Sequence, residues 1–285
     1  MLALLSFSQL ILAQEINFEE LAVKTADDFS NFLDERVEDT LEVSNFNYQD
    51  LSVLMSGIKD FSDSKRKEIW FNIGSDNAPV EQKKIIPIYK EIAYIGVNGN
   101  EIIRYSNNEF SNNLRDVSNP KNTDFKSETY FADTISLGEG KVLIGNVMTE
   151  YTSVEKVFKQ STEETRNDKT YGNVIGRDIM KEGLLRFSMP IYSNNQLQGV
   201  IVLSLDYKHI QELSKHVNPT SEEPTVSTQY SKNYLLVFDN DGNTITHPKP
   251  DNIRGYLDNG ELAGFNEPNS TQDGHIFNLY KYEKS

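Results

Sequence analysis

Side chains that do chemistry are sparsely arranged in this chain, and their spacing argues against most reactions. His209 and His216 lie seven residues apart on one predicted helix. That places them on a similar face but about 10 Å apart along the axis, too far to share one zinc ion. Both read as packing or surface residues. Asp239-Asn240-Asp241-Gly242 has the outline of a calcium loop. An EF-hand, however, needs its glycine at the sixth position from the first Asp, where Thr244 stands. A turn fits better. Gly138-Glu139-Gly140-Lys141 lacks the earlier glycine of a phosphate loop, and Val142 follows the lysine where Ser or Thr is required. There is no Gly-x-Ser-x-Gly elbow and no His-Glu-x-x-His pair. The chain has no cysteine, which removes thiol catalysis, disulfides and thiolate metal sites together. With 43 Asp and Glu, no carboxylate pair stands out as general acid and base. The expectation is a non-enzymatic domain with no cofactor and no metal site.

The composition points the same way. The net charge of −15 makes a poor nucleic-acid binder, because such a surface repels phosphates instead of releasing their counterions. It disfavours anionic lipid surfaces as well. Hydrophobic residues are 37% of the chain, on the low side, but 14 Tyr and 15 Phe supply bulky core material. The 285 residues suffice for one large domain or two ordinary ones.

The elements that must position any site follow from periodicity. Residues 1–13 are mostly apolar but too few to span a bilayer. They read as an export segment or as the outer end of a transmembrane helix, with a plain buried helix end as the simpler alternative. Phe18, Leu21, Ala22, Thr25, Phe29, Phe32, Leu33, Val37 and Leu41 then recur at helical steps, with Asn17 and Glu20 spaced as a capping box. This predicts a long helix over 17–45, a rod of roughly 40 Å. Residues 48–71 predict a second helical region ending near Trp70. A hairpin follows over 85–106, then a polar loop over 107–126. A short helix is expected over 127–137, with Ser127 as its cap, then a strand over 140–149 and a charged insertion over 152–182. Residues 184–207 form the clearest β hairpin, turning at Asn194-Asn195. A short helix over 208–217 and a linker over 218–231 complete this part. Tyr94 to Arg104 and Leu235 to His247 share one pattern: an apolar run, an Asn/Asp-Gly-Asn turn and a second alternating run. Two such hairpins suggest two copies of one module, the second starting near Lys232. The fold class is therefore α+β: a long N-terminal helix and a largely antiparallel sheet, followed by the start of a second similar module.

At this point the chain resembles the double Cache family of extracytoplasmic sensor domains, over about Phe18 to Tyr256. The first hairpin resembles the opening strands of the membrane-distal module. Glu128-Thr129-Tyr130-Phe131 resembles the start of its pocket helix. Phe187-Ser-Met-Pro-Ile-Tyr192 and Gly199-Val-Ile-Val-Leu-Ser-Leu-Asp206 resemble its closing hairpin. Phe238-Asp-Asn-Asp-Gly-Asn243, His247-Pro248 and Ile253-Arg254-Gly255 resemble the start of the membrane-proximal module. The resemblance implies a PAS-like Cache module over 14–217, with its helical spine, and an incomplete second module over 232–285.

It also implies a bacterial extracytoplasmic domain that senses a small polar metabolite (amino acid, amine or organic acid). The domain would belong to a transmembrane receptor of histidine kinase, chemoreceptor or diguanylate cyclase type. A flanking membrane helix and a homodimer through the spine helix belong to the same picture. Amino-acid-binding members often carry Arg-x-Trp-Tyr on the pocket helix and an Asp on the last strand. Here Tyr130-Phe131 replaces Trp-Tyr, and Glu128 stands where the Arg would be. A carboxylate there repels a ligand carboxylate, and Lys126 is the available substitute. Asp206 falls where a ligand amine would be held, although it is equally placed to cap the following helix. The expected pocket set is Tyr105, Lys126, Tyr130, Phe131, Arg186 and Asp206, an aromatic wall with a few convergent polar groups. For Tyr130 and Phe131 core packing is an equal alternative. Arg186, alternating with Leu185 and Phe187, is expected more often to face solvent. The rival functions are a soluble extracytoplasmic binding or structural module and a carboxylate-dependent hydrolase.

Overall fold

The long periodic stretch is one helix, α1 (Phe18–Ser44), 27 residues long. It forms because nothing between its ends breaks it: there is no Gly or Pro from 18 to 44. The computed structural model describes residues 18–72, 81–152, 179–215, 237–238, 244–246 and 256–257. The following expectations lie outside them: residues 1–13 and the Asn17 cap, most of the charged insertion, the 218–231 linker, the Asp239–Gly242 turn, most of the second module, and His216, His247 and His275.

The buried face of α1 is not purely apolar. Phe32 and Val43 are buried, but so are Thr25, Arg36, Asp39 and Thr40, while Leu41 is exposed. The helix thus presents a polar middle to the rest of the domain. Next comes α2 (Leu51–Ser64), capped by Asp50, whose carboxylate accepts from the backbone N–H groups of Ser52 and Val53. Leu54, Ile58 and Phe61 are its buried residues on the core side. The expected continuation of this helix to Trp70 is a correction. The chain leaves the helix at Lys65 (φ −92, ψ 82) and forms β1 (Arg66–Asn72), paired antiparallel with β2 (Glu81–Pro87). Ile69, Trp70 and Phe71 are β-favouring residues, and cross-strand pairing with β2 outweighs the helical reading.

The remaining elements among the described residues are β3 (Tyr89–Gly96), β4 (Glu101–Ser106), β5 (Glu109–Phe110), a 3-10 turn (Pro120–Asn122), α3 (Tyr130–Ile135), β6 (Leu143–Thr152), β7 (Ile179–Ser193), β8 (Gln196–Asp206), α4 (Tyr207–Lys215), β9 (Val237–Phe238), β10 (Thr244–Thr246) and β11 (Tyr256–Leu257). The main sheet runs β11-β6-β7-β8-β3-β4-β5. Six of its strands are mutually antiparallel, and β11 joins the outer edge parallel to β6. The short strands β9 and β10 pair antiparallel with each other. This is an α+β fold: a long helix and a PAS-like antiparallel sheet with few further helices. Asn107-Asn108 and Asn194-Asn195 make the tight turns of the β4–β5 and β7–β8 hairpins, all four with positive φ. Asn tolerates that region better than most residues, and paired positive φ matches the twist of the flanking strands. At the short helix the cap is Thr129, not Ser127, whose hydroxyl bonds instead to the Phe125 carbonyl. Among the described residues no helix is long and apolar enough to cross a membrane.

Alternation divides the sheet into two faces. Leu185, Phe187, Met189 and Ile191 of β7, Ile201, Leu203 and Leu205 of β8, and Ile92 and Tyr94 of β3 pack with α1, α2 and α4. Buried His209 belongs to this side, its ring 6.4 Å from that of Phe32 and its Nε2 2.9 Å from the Pro87 carbonyl. Burial lowers its pKa against that bond, as suits a packing residue. The opposite face carries Ala93 and Ile95 of β3 and Val200 and Val202 of β8, covered by Val117, Tyr130 and Phe131. At Gly199 the sheet has no room for a side chain: a Cβ would lie 2.3 Å from the Ile95 carbonyl oxygen and 2.7 Å from the Tyr94 ring. We expect Gly199→Ala to destabilise the domain by about 1–3 kcal/mol. Urea denaturation should show a lower midpoint with an unchanged slope.

Candidate functional site

On the α3 face the apolar lining gives way to charge. Ser204 stands across from Glu91 and Arg186, and Arg104 lies across from Ala93. The strand pattern thus delivers Glu91 from β3, Arg104 from β4, Arg186 from β7 and Ser204 from β8 to one patch. Glu101 opens β4, and residues 111–129 and α3 fold over the patch, adding Arg115, Asp124, Glu128 and Tyr130.

Arg186 is at its centre, with a side chain only 2% exposed. Each of its five guanidinium N–H donors has an acceptor. Nε and Nη2 reach Glu128 at 2.6 and 3.2 Å, Nη1 reaches Ser204 Oγ at 2.7 Å and Glu91 at 3.2 Å, and Nη2 reaches Asp124 at 2.5 Å. The guanidinium also lies 4.5 Å from the centroid of the Tyr130 ring. Burial would lower the Arg186 pKa, but Glu128, Tyr130 and Glu91 outweigh it and keep the group charged. The expectation that Arg186 faces solvent is corrected. Its alternation with Leu185 and Phe187 is as expected, but α3 and the 111–129 loop cover the face it points to. Glu128, expected to repel a ligand carboxylate, is instead the bidentate partner of Arg186.

Two further pairs extend the patch. Arg115 grips Glu101, whose side chain is wholly buried, through Nε at 3.0 Å and Nη2 at 2.7 Å, and its backbone N–H donates to the same carboxylate at 2.9 Å. Arg104 Nε donates to Glu91 at 2.5 Å. Asp124 is the fourth carboxylate. Burial pushes its pKa up, but Arg186, Arg115 and Arg104 outweigh that and hold it down at about 2.

Of the expected pocket residues, Tyr130 and Arg186 are brought together here. Phe131 is on the same face but packs into the apolar cluster with Ala93, Ile95 and Val200. Asp206 ends β8 two residues beyond Ser204 and caps α4, its Oδ1 accepting from the Lys208 N–H at 3.0 Å. Lys126 is exposed in the loop, at φ 54. Tyr105 is a correction to the expected grouping. It pairs with Ile92 on the opposite face, with its ring 4.7 Å from Phe110 and its buried hydroxyl without a hydrogen-bond partner. Glu91, Glu101, Arg104, Arg115, Asp124 and Ser204 were not anticipated. The one available signal was a charge inside an apolar strand, as at Glu91 within Tyr89–Gly96.

No family model matches this chain. No curated protein matches it either. Among solved structures it is similar to the extracellular domain of a protein described as a histidine kinase, vpHK1S-Z8, at 14% identity over 83% of this chain and 71% of that one, with a TM-score of 0.49. It is also similar to a domain described as part of a sensory box/GGDEF family protein from Vibrio parahaemolyticus, at 16% identity over 84% and 76%, TM-score 0.48. A third is the ligand-binding domain of the Pseudomonas aeruginosa PAO1 amino acid chemoreceptor PctC in complex with GABA, at 11% identity over 83% and 76%, TM-score 0.45.

Removing a buried cation strands its carboxylates. We expect Arg186→Ala to cost about 3–5 kcal/mol, read as a loss of denaturation midpoint. Asp206→Ala removes only a helix cap and should cost about 1 kcal/mol by the same measurement. A much larger loss would mean that Asp206 belongs to the charged patch.

Proposed function

We propose that this chain is the extracytoplasmic sensing domain of a bacterial transmembrane receptor, of histidine kinase, chemoreceptor or diguanylate cyclase type, and that it is not itself catalytic. The α3 face takes a small polar metabolite. The spine helix α1 passes the response to a flanking membrane helix, in a homodimer formed along that helix. Residues 14–217 make the membrane-distal module, 218–231 the linker and 232–285 the start of the membrane-proximal module.

The observation that carries this reading is the course of β3. Its register shifts between Tyr89 and Glu91. The shift turns Tyr89 toward the helices and Glu91 toward the charged patch. Glu91 holds Arg104 and Arg186. Tyr89 donates its hydroxyl to Asp39 of α1 at 2.5 Å. Asp39 is also gripped by Arg36 Nε at 2.8 Å and by Lys65 Nζ at 2.6 Å. One short length of strand therefore connects the patch to the buried polar middle of the spine helix. Such a cluster fixes helix register, because sliding α1 would strand Arg36 and Asp39. A ligand that prefers one arrangement of the patch then biases the position of α1, by no more than its differential affinity for the two states. Of the three similar solved domains, one is described as extracellular, one as part of a sensory box protein and one as ligand-binding. A purely structural module is the second reading, and the complete pairing of Arg186 favours it.

The test is a thermal-shift screen of the folded protein against amino acids, amines, organic acids and purines. A ligand at 100 times its dissociation constant adds about 2.7 kcal/mol, a rise of a few degrees. We expect a response confined to one chemical class. A folded protein that responds to none would favour the structural module.

A further inference from the structure

Each arginine of the patch has a different nearest glutamate, Arg186 with Glu128, Arg115 with Glu101 and Arg104 with Glu91, and Glu91 is also reached by Arg186 and Arg115. That frame is neutral. Asp124 is surplus to it, and one terminal nitrogen of each guanidinium reaches its carboxylate. Arg186 Nη2 is 2.5 Å from Oδ2, Arg115 Nη1 is 2.6 Å from Oδ1, and Arg104 Nη2 is 3.6 Å from Oδ1. We infer that these three arginines form a carboxylate receptor in which Asp124 is the built-in occupant, and that a diffusible small carboxylate takes its place. The inference rests on the sensor reading only for its biological use; the receptor itself is a property of the arrangement.

Three observations separate Asp124 from the other acids. Its side chain is 31% exposed, whereas those of Glu91, Glu101 and Glu128 are at most 6% exposed. It is also more exposed than any of the three arginines that hold it. The loop, in turn, has anchors besides its side chain. Thr123 and Phe125 on either side are buried. The Thr123 hydroxyl donates to the Pro120 carbonyl, Lys126 N–H donates to the Thr123 carbonyl, and Phe125 N–H donates to Glu128. The carboxylate can leave by side-chain rotation while the backbone stays. Exchange of one carboxylate for another also conserves the charge of the frame. A planar two-oxygen anion suits guanidinium donors arriving from several sides. An ammonium group would meet three cations.

A tethered occupant competes as an effective concentration in the millimolar range or above. Its removal should therefore raise affinity for a free carboxylate by about tenfold or more. The experiment titrates wild type, Asp124→Ala and the isosteric Asp124→Asn with sodium acetate and sodium malonate, following Tm and heat of binding, with sodium chloride at equal ionic strength as reference. We expect the alanine variant to be stabilised by acetate or malonate beyond chloride, and to bind at least tenfold more tightly than wild type. The asparagine variant should fall between them. An alanine variant that folds only when carboxylate is added supports the receptor equally. If it does not fold under any condition, the asparagine variant decides by the same titration. Folded variants with no carboxylate-specific response, or with wild-type affinity, would overturn the proposal and leave Asp124 as a structural ion-pair member. A variant that binds acetate, beside a wild type silent to the whole metabolite screen, would keep the receptor and remove the sensor reading. A wild type that responds to amines alone, beside silent variants, would do the reverse.

Discussion

A guanidinium buried in the sheet sets the terms for everything on the α3 face. Arg186 cannot shed its charge, and an isolated charge in that position would cost many kcal/mol. It is tolerated only because carboxylates and a hydroxyl arrive from β3, β8 and the loop before α3 to meet every donor. Those acids are themselves tolerated only because of the arginines. Loop 111–129 and α3 therefore close over the sheet for electrostatic as well as apolar reasons. The Val117, Tyr130 and Phe131 cluster seals one part of this interface and the ion pairs seal the other.

The opposite face repeats the device on a smaller scale. Asp39 gathers Arg36, Lys65 and Tyr89, and so ties α1 to the end of α2 and to β3. Arg36 also lies 4.6 Å from the centroid of the Phe32 ring, a contact that lets a cation share an apolar interface. An apolar helix face slides easily over a sheet, because one Leu contact resembles the next. A buried charge cluster does not, since each partner has one place to go. The two polar clusters meet the same strand within three residues, at the register shift in β3. That proximity is what makes communication between them physically plain.

Much of this fold was legible in the sequence. Period-two alternation marked β3, β7 and β8, and uninterrupted helical spacing marked α1. Even the direction of Arg186 followed from Leu185 and Phe187. Alternation says which way a residue points, however, and not what covers it, and the cover comes from a polar loop far upstream. Asp124 lies among Asn, Asp and Ser residues that look alike by spacing, so its convergence with three arginines is a property of tertiary closure alone. Tyr105 was misgrouped for the complementary reason. Its apolar, aromatic character fits either face, and only its pairing with Ile92 assigns it to the helix side. Arg36 and Asp39 were overlooked because a buried polar pair within a helix reads, in sequence, as a break in the apolar stripe. The proposed sensor reading rests on resemblance of motifs rather than on any residue's chemistry.

A site whose acids are all buried and paired holds its shape but has nothing to exchange. The carboxylates of the patch are held that way except at one position. Glu101, Glu128 and Glu91 are locked by arginines and by the sheet. Asp124 is held by charge from three directions while its backbone is anchored by its neighbours. The strong attraction and the partial exposure together define a group whose departure alters Arg186, Arg115 and Arg104 at once without opening the core. All three of those arginines also reach Glu91, Arg104 at 2.5 Å, Arg186 at 3.2 Å and Arg115 at 3.5 Å. A change of occupant therefore reaches β3 through Glu91, and β3 is the strand that reaches Asp39 through Tyr89. The rigidity of the remaining pairs is what directs the change there, because packed and paired neighbours transmit a displacement that loose ones would absorb.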